Sequence, residues 1–410
     1  MYGKEIVIRR RRWPSSALAA VMLVLTLLGL AGQAQNARGE DTPVASLPSG
    51  YWDRPLAKQG EAPQAWIEIE RSLAPGACGE CHMRQADEWR TSLHAKAFSP
   101  GLVGQLLTFD AAGTARCMDC HAPLAEQKQA FEQARAKGVG HLTDAQGLAA
   151  SGNSCAGCHV RRHQRFGPPQ RDTGLTGPSN DEMPHGGVTR TTDFEESSFC
   201  STCHQFPLSM AVNGKPLENT FVEWQASPQA AAGQTCQTCH MPGRRHEWRG
   251  IHDPEMVRDG LTATFAAEVE AARFSIANTG VGHAFPSYVT PKVILQGVAL
   301  DAAGQPVGNT AASYVIQRVV AYSGGRWIES SDTRLLPNQS ATLSVPWKGY
   351  DRVRFWLEVH PDDYYDRRIY DSLLASFDQA GPATTLIAEA DALAAKSSFR
   401  LFEMELTHPR

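Results

Sequence analysis

Five copies of the pattern Cys-x-x-Cys-His lie between residues 78 and 240, and together they use all ten cysteines of the 410-residue chain. Two thiols at this spacing can add to the two vinyl groups of one porphyrin, and the following histidine can bind the iron as proximal ligand. The pattern therefore predicts five covalently attached c-type haems. The predicted attachment and proximal residues are Cys78, Cys81 and His82; Cys117, Cys120 and His121; Cys155, Cys158 and His159; Cys200, Cys203 and His204; and Cys236, Cys239 and His240.

Structural zinc is the alternative role for paired cysteines, because Cys-x-x-Cys knuckles with a histidine are common zinc ligands. Such knuckles combine in twos to supply four ligands, so five of them would leave one over. Zinc also does not require a histidine directly after every second cysteine. A disulfide framework is disfavoured because every cysteine already belongs to an attachment pattern. The pattern therefore favours haem.

Nine further histidines could complete the coordination of the irons. A haem iron either takes a second protein ligand, as in an electron carrier, or keeps an open position for an exogenous molecule. A histidine is more often a surface or hydrogen-bonded residue, but five porphyrins in one region raise the expectation of ligation. The predicted distal ligands are His94, His185, His246, His252 and His283. His163 stays open as a ligand, and His141, His360 and His408 are predicted to be structural or exposed.

The predicted distal ligands have different surroundings. His94 lies on a predicted helix that includes residues 85–96 and carries Trp89 and Phe98, an aromatic setting suited to a porphyrin face. His246 and His252 follow the fifth attachment site, so at least one of them is expected to bind iron. His185 lies in a Gly/Pro-rich segment before the fourth site. His283 lies in a Gly-rich loop, where small neighbours allow the backbone to approach a flat ring closely.

The N-terminal segment has the features of a secretory signal peptide. A basic stretch ends at Arg12, an apolar run spans 17–31, and a small-residue site ends at Ala34. Fifteen apolar residues are short for a membrane span of about 20 residues, so cleavage near Ala34 is predicted rather than retention as an anchor. Export agrees with c-type haems, which are attached outside the cytoplasm. The protein is predicted to be periplasmic or otherwise exported, and membrane-attached only if this segment is retained.

Removal of residues 1–34 would leave an acidic chain. These residues hold five basic and one acidic side chain, which leaves 34 Lys+Arg against 42 Asp+Glu and a formal charge of −8. The haem propionates would add to this negative charge. Nucleic acid is therefore not an expected partner, whereas a basic redox protein could dock on the acidic surface.

The chain divides into four predicted parts. After the signal peptide, residues 35–65 form an extended, proline-containing leader on or beside the first domain, with little function of its own. Residues 66–260 form a pentahaem domain that is mostly helical or irregular. Because 163 residues from Cys78 to His240 serve five porphyrins, the haems are expected to supply much of its core. Residues 261–410 form the last part.

One short pattern occurs twice in the haem domain. Residues 88–92 and 223–227 share Glu-Trp-x-x-Ser. His94 follows the first copy, whereas the second copy has Gln229 at the same offset. The intervals between attachment sites, 39, 38, 45 and 36 residues, are too irregular for a solenoid. The pattern is therefore interpreted as a reused haem-packing helix.

Residues 261–410 contain no attachment pattern and are predicted to be β-rich. Alternating apolar stretches between turns such as Gly324-Gly325 predict several short strands. Their arrangement favours an all-β, sandwich-like domain. A short helical insert is predicted over 366–377 and 384–395, followed by a closing strand over 399–406.

Three stretches resemble exported multihaem c-type cytochromes: Trp89-x-x-Ser92-x-His94-Ala95, the run Cys236 to Pro242, and the Gly-x-Gly-His-x-Phe-Pro loop at 280–286. The chain is similar to the tetrahaem cytochromes that take electrons from hydroxylamine oxidoreductase, and to larger multihaem proteins with a C-terminal β-domain. The resemblance covers roughly Cys78 to Pro291. It implies that His94 is a distal ligand, with His246, His252 and His283 as candidates. The fifth attachment site and the β-domain depart from the tetrahaem type, so the resemblance implies neither the pairing of haems with histidines nor the partner.

The favoured function is electron transfer between redox proteins through closely packed, mainly bis-His haems. The alternative is a multihaem reductase or oxidase that acts on a small nitrogen or sulfur compound at one open haem, where Arg244, Arg245 or His163 could assist. No sequence feature demands this, no catalytic residue is predicted, and the Cys-x-x-Cys-Lys variant of some nitrite reductases is absent. A scaffold role, in which the β-domain docks onto a larger redox complex, is compatible with electron transfer.

Overall fold

The computed structural model describes residues 5–8, 45–138, 147–171, 183–377 and 381–409. The predicted signal peptide apart from 5–8, the first part of the leader and His141 lie outside these ranges. No helix in the described ranges has the length and apolar character needed to cross a membrane. The apolar run 17–31 is not among the described residues.

Short helices form most of the region that carries the attachment motifs. Several begin at capping side chains: Ser99 accepts a hydrogen bond from the amide of Leu102, and Asp110 accepts one from that of Gly113. The α-helices among the described residues are α1 (Glu68–Arg71), α2 (Pro75–Gly79), α3 (Met83–Thr91), α4 (Pro100–Leu106), α5 (Ala111–His121), α6 (Ala125–Lys137), α7 (Cys155–His159), α8 (Ser198–His204), α9 (Thr220–Gln225), α10 (Pro228–Ala231), α11 (Cys236–His240), α12 (Pro254–Gly260), α13 (Asp371–Ser376) and α14 (Pro382–Ala394).

Helical geometry positions the attachment motifs. In α5, α7, α8 and α11 the whole motif lies in a helix, and α2 contains the first cysteine of the remaining motif. Residues three and four positions apart share one face of a helix. The two cysteines of a motif therefore face the same side, and the histidine follows directly.

The C-terminal region is mostly β. Its two four-stranded sheets have the orders β1-β7-β8-β13 and β10-β9-β14-β15, with antiparallel pairing throughout, and β11 and β12 form a hairpin. Within the described ranges the strands are β1 (Glu5–Ile8), β2 (Val160–Arg161), β3 (Gln164–Gly167), β4 (Thr189–Arg190), β5 (Ala211–Val212), β6 (Lys215–Pro216), β7 (Leu261–Ala267), β8 (Ala271–Asn278), β9 (Lys292–Leu300), β10 (Ala312–Ile316), β11 (Arg318–Ser323), β12 (Arg326–Asp332), β13 (Ser340–Pro346), β14 (Arg352–His360) and β15 (Phe399–Thr407).

Alternation explains how these strands build a core. Every second residue of β13 and β14 is buried, as expected for strands with one apolar face. Side chains from both sheets join one hydrophobic cluster. At its centre the rings of Phe265 and Phe274 stack at 4.7 Å, and Phe355 lies 5.7 Å from Phe274.

The helical insert falls where it was predicted, but it packs against the haem-motif region, which comprises residues 66–260 of the predicted haem domain. It comprises a π-helical segment Tyr365–Tyr370, α13 and α14. Helix α14 lies against α4, and Leu386 joins a cluster with residues of the haem-motif region. The helices approach closely at Gly104, because a Cβ there would lie 2.7 Å from Ile387 Cδ1.

Strand β1 lies inside the predicted signal peptide. It pairs antiparallel with β7, from Glu5 opposite Ala266 to Ile8 opposite Ala263. Cleavage near Ala34 would remove this strand and make β7 the edge of its sheet.

Candidate functional site

One cavity of about 3400 Å³ runs through the region that carries the attachment motifs. Its lining includes every cysteine and histidine of the five motifs and all five predicted distal histidines. A pocket for one drug-sized ligand occupies about 300–1,000 Å³. The cavity and the thiols that line it therefore fit several covalently attached haem groups.

Four proximal histidines each face a second histidine across this cavity. An imidazole nitrogen lies about 2 Å from a bound metal, so two such ligands on opposite sides of one ion hold their ring centres roughly 6 Å apart. Each observed pair fits this spacing and could hold one iron. The ring centroids are 6.5 Å apart for His82 and His185, and 6.3 Å apart for His204 with His94, His159 with His246, and His240 with His283.

In His159, His240 and His283 the other ring nitrogen is directed to the backbone. The Nδ1 atom of His159 lies 2.8 Å from the carbonyl oxygen of Phe166, and that of His240 lies 2.7 Å from the carbonyl oxygen of Arg249. His283 makes the same kind of contact. An Nδ1–H group that donates to a carbonyl leaves Nε2 free to bind a metal. These hydrogen bonds favour the tautomer that ligation requires.

Burial keeps several of these imidazoles neutral. Burial, followed by the charges of neighbouring histidines, lowers the pKa of His94 to about 3. Burial also lowers the pKa values of His159 and His283 to about 4, against an opposing backbone hydrogen bond in each case. Because a metal ligand must be a neutral imidazole, these side chains need not lose a proton to bind iron near neutral pH.

His204 has a carboxylate near its Nδ1 atom. That nitrogen lies 4.0 Å from Oε1 of Glu218, and the hydroxyl of Thr220 donates a hydrogen bond to the same oxygen. Burial raises the pKa of Glu218 to about 7, and the hydrogen bond from Thr220 opposes this rise. The surroundings of His204 therefore differ from those of the proximal histidines that contact carbonyl oxygens.

His121 also differs from the other proximal histidines. Its Nδ1 atom lies 2.9 Å from the carbonyl oxygen of Ala97, but no histidine ring of the described ranges is paired with it as in the four pairs above. Tyr288 and Tyr365 interact electrostatically with the nearby Cys117, and burial raises the pKa of both phenols. Within the described residues, His121 is thus the proximal histidine without a facing imidazole ring.

His252 is the predicted distal ligand that the structure does not bring opposite a proximal histidine. Its Nε2 atom lies 2.9 Å from Oδ2 of Asp362. The ring nitrogen that would bind iron is therefore engaged with a carboxylate. His246, the other candidate after the fifth motif, is the one that faces a proximal ring.

The remaining described histidines have local contacts. The Nε2 atom of His163 lies 3.0 Å from the carbonyl oxygen of Gly60. The Nδ1 atom of His360 lies 2.8 Å from Ser398 Oγ, and His408 packs against a tryptophan ring. None of these three is paired with a proximal ring in the described part of the chain.

Cysteines of different motifs contact one another. Hydrogen-bonding contacts join Cys78 with Cys155, Cys120 with Cys203, and Cys200 with Cys236. The contacts thus connect the first motif to the third, the second to the fourth, and the fourth to the fifth.

Zinc would need a closed set of ligands, and the described residues contain no group of three or more His, Cys, Asp or Glu side chains that could hold a metal ion.

The leader takes part in the site, which the sequence did not indicate. The hydroxyl of Tyr51 donates a 2.6 Å hydrogen bond to the carbonyl of Cys158. The guanidinium of Arg54 lies 3.2 Å from the sulfur of Cys120 and 3.4 Å from that of Cys203. An arginine in an extended, proline-containing segment carries no spacing signal that could have revealed these contacts.

Trp248 is a second residue that motif spacing did not identify. Its ring centroid lies 4.6 Å from that of His94 and 5.1 Å from that of His246. Its backbone has a φ of 42°, a left-handed conformation that is uncommon for a bulky residue. Trp248 therefore packs on His94 and His246, the candidate distal histidines of two pairs.

Comparisons with known proteins concern the fold of this chain. Residues 77–160 match the family described as cytochrome c554 and c-prime. The solved structure of a penta-heme cytochrome c552 from Thermochromatium tepidum is similar, with a TM-score of 0.56 and 20% sequence identity, over 83% of this chain and 99% of that one. No curated protein sequence matches the chain significantly. The chain thus has the fold of a multihaem c-type cytochrome.

Proposed function

We propose that the chain is an exported pentahaem c-type cytochrome that carries electrons between redox proteins. The observation that carries this proposal is the set of four facing histidine pairs. Two histidine ligands give an iron suited to electron transfer rather than to substrate binding. When attached, the haems supply one-electron chemistry, and the protein supplies their ligands, spacing and burial.

Five haem sites follow from the five motifs, and we number them by motif in chain order. The distal ligands of haem sites 1, 3, 4 and 5 are His185, His246, His94 and His283, respectively. In this arrangement the haems supply much of the interior of residues 66–260. The two C-terminal sheets form a β-sandwich whose loop at His283 completes haem site 5, so both regions belong to one redox unit.

The cysteine contacts support a continuous relay. They join haem site 1 to 3, 2 to 4, and 4 to 5. Trp248 contacts the distal histidines of haem sites 3 and 4. This contact connects haem sites 1 and 3 to haem sites 2, 4 and 5. Closely packed sites of this kind allow electrons to enter at one end and leave at another.

Export and partners follow from the sequence. The N-terminal segment has the features of a cleaved signal, and the mature chain is acidic with a formal charge of −8. A basic redox protein is therefore the expected type of partner. Attachment to a membrane would require that the signal be retained.

The intact mass of the exported protein tests the haem count. It should equal a polypeptide that begins near Gln35 plus five haems. A mass that corresponds to four haems would contradict the proposal, and so would haem that can be extracted from the protein with acid.

Matched histidine variants test the ligand assignment. His94→Ala should open one iron, convert part of the reduced spectrum to high spin and add one bound CO per protein. His252→Ala should leave the spectrum unchanged, because that ring contacts Asp362 instead. The opposite pattern would contradict the assignment.

A second candidate function is reduction or oxidation of a small nitrogen or sulfur compound at haem site 2. It is favoured by His121, which faces no histidine among the described residues, and by the phenols of the half-buried Tyr288 and Tyr365 near Cys117. Burial raises the pKa of Tyr365 to about 12, so this phenol keeps its proton and can donate a hydrogen bond. Turnover of nitrite, hydroxylamine or sulfite with an artificial electron donor or acceptor would support this function, and absence of turnover with all three would leave electron transfer alone.

A further inference from the structure

The two copies of Glu-Trp-x-x-Ser occupy equivalent places in the structure. The first lies at the end of α3 and the second at the end of α9. In each copy the amide of the serine donates to the carbonyl of the tryptophan, at 2.9 Å in the first and 2.8 Å in the second. Both serines are buried. The two patterns thus adopt the same local conformation.

The tryptophans make the same contact with the protein backbone. The indole N–H of Trp89 donates to the carbonyl of Asn153 at 2.9 Å, and that of Trp224 donates to the carbonyl of Gln234 at 2.9 Å. Asn153 lies two residues before Cys155, and Gln234 lies two residues before Cys236. Each tryptophan therefore fixes the start of an attachment motif, in haem site 3 and haem site 5.

The glutamates make a matching contact on the distal side. The carboxylate of Glu88 accepts a 2.8 Å hydrogen bond from the amide of His246, and that of Glu223 accepts a 3.1 Å bond from the amide of Ala284, next to His283. These are the segments that carry the distal histidines of haem sites 3 and 5. Each Glu-Trp pair thus contacts the proximal and distal sides of one haem site.

Burial and charge make these contacts strong. The side chains of Glu88 and Glu223 are only 10% and 6% exposed, and each pairs with an arginine: Arg245 at 3.4 Å and Arg334 at 3.2 Å, respectively. A backbone amide bound to a carboxylate forms a charge-assisted hydrogen bond. Loss of a buried acceptor leaves the amide unsatisfied, which costs more than the bond itself contributes.

The two copies also lie beside equivalent pairs of attachment motifs. The first cysteines of motifs one and three are in contact, and so are the first cysteines of motifs four and five. In contrast, the contact between motifs two and four joins their second cysteines. The first copy follows motif one and serves site 3, and the second follows motif four and serves site 5.

We infer that Glu88-Trp89 and Glu223-Trp224 are two copies of one positioning device, which holds an attachment motif with the indole and a distal-ligand segment with the carboxylate. The inference rests on the proposed roles of His246 and His283 as distal ligands. It gives a structural role to the repeated pattern that motif spacing alone did not explain. These residues do not bind iron, and they act through the histidines that do.

Substitution of the two glutamates tests the device. Glu88→Met and Glu223→Met keep the approximate side-chain volume but remove the acceptor, and each should add one bound CO per protein to the reduced protein with five haems still attached. Glu88→Gln and Glu223→Gln retain an acceptor oxygen and should bind no additional CO. Glu126→Met is the matched control, because Glu126 also accepts a backbone hydrogen bond, from Gln59 at 2.6 Å, but contacts no distal segment.

Double variants identify the affected site. Glu223→Met combined with His283→Ala should bind no more CO than His283→Ala alone, whereas Glu223→Met combined with His246→Ala should add two CO per protein. Contacts to a shared site are non-additive, and contacts to separate sites add. Additive CO binding in the first combination would overturn the inference.

The outcomes separate this inference from the proposed function. If His283→Ala and His246→Ala add no CO, the ligand assignment fails. If they add CO while both methionine variants match Glu126→Met, the ligand assignment stands and the positioning device is wrong. Should the methionine variants not accumulate, Trp89→Phe and Trp224→Phe each remove the indole donor while keeping an aromatic ring, and each should alter the low-spin EPR signal of one site. Unchanged EPR spectra in both would contradict the device.

Discussion

The β-rich region and the haem-motif region fill their interiors in different ways. In the β-rich region and the helix before it, 24 buried residues form one hydrophobic cluster. The haem-motif region instead shares two smaller clusters with its neighbours, one of seven buried residues that includes Leu386 of the insert and one of four that includes Leu56 of the leader. These lie beside a cavity of about 3400 Å³ lined by the attachment motifs. One region therefore contains a complete core of side chains, and the other contains its cofactor sites.

This difference shows how the two regions depend on cofactor attachment. The alternating strands β13 and β14 specify their own packing, because each buries one face against the other sheet. The short helices α7 and α11 consist of an attachment motif and little else. Helices of this length are marginal without tertiary packing, so haem attachment is expected to be part of folding in the haem-motif region.

The largest expected effect comes from production of the chain without haem attachment. Residues 66–260 should then be cleaved readily by a protease, whereas a fragment that begins near residue 261 should resist, because its core needs no cofactor. Limited proteolysis with mass spectrometry of the fragments measures this. Equal resistance of both regions would remove the contrast drawn above.

A smaller effect is expected from a cavity in the β-rich core. Phe274 is fully buried between Phe265 and Phe355, so Phe274→Ala should lower the free energy of unfolding of this region by about 3–5 kcal/mol. Denaturant unfolding followed by far-UV circular dichroism would measure the change, and the haem spectrum of the folded protein should not change. Tyr322→Ala is the matched control, because Tyr322 is 64% exposed and its ring contacts Trp327 across the hairpin, so its loss should lower stability by only about 0.2–1 kcal/mol.

The smallest effect concerns an ion pair between the two regions, in which Asp332 of the β-rich region contacts Lys215 of the haem-motif region. Burial alone would raise the pKa of Asp332, but hydrogen bonds from Arg334 and Lys215 outweigh burial and hold this pKa below its usual range. A carboxylate with a lowered folded-state pKa contributes stability above its unfolded pKa of about 3.9, and this contribution is lost as pH falls toward the folded-state pKa. Stability should therefore fall more steeply below about pH 4 in the native protein than in Asp332→Asn. Equal slopes in acid unfolding titrations would contradict the role of Asp332.

Sequence patterns predicted the chemistry of the site better than its assembly. The attachment motifs and distal candidates such as His94 and His283 were recognisable from residue type, spacing and local setting. The pairing of His94 with His204, rather than with a nearer motif, depends on how distant helices pack. His246 and His252 lie close together in the sequence, and only the fold shows that one faces a proximal ring and the other faces Asp362.

The mostly β character of the C-terminal region and the helical insert could be predicted because alternation and helix propensity are local properties. The contact of α14 with α4 could not, because it depends on glycine positions in a distant helix. Arg54 and Trp248 were missed for the same reason, since each acts through contacts with residues far along the chain. The repeated Glu-Trp-x-x-Ser pattern was visible, but its contacts required three-dimensional coordinates.

Titration of the fully reduced protein with CO tests the central claim most directly. In the proposed arrangement four of the five haems have two histidine ligands, so at most one CO should bind per protein and at least four haems should remain low-spin. If one CO binds, His121 identifies haem site 2 as its place, and the spectra of haem sites 1, 3, 4 and 5 should be unaffected. Binding of two or more CO per protein would contradict the histidine pairs and shift the function from electron carrier to enzyme.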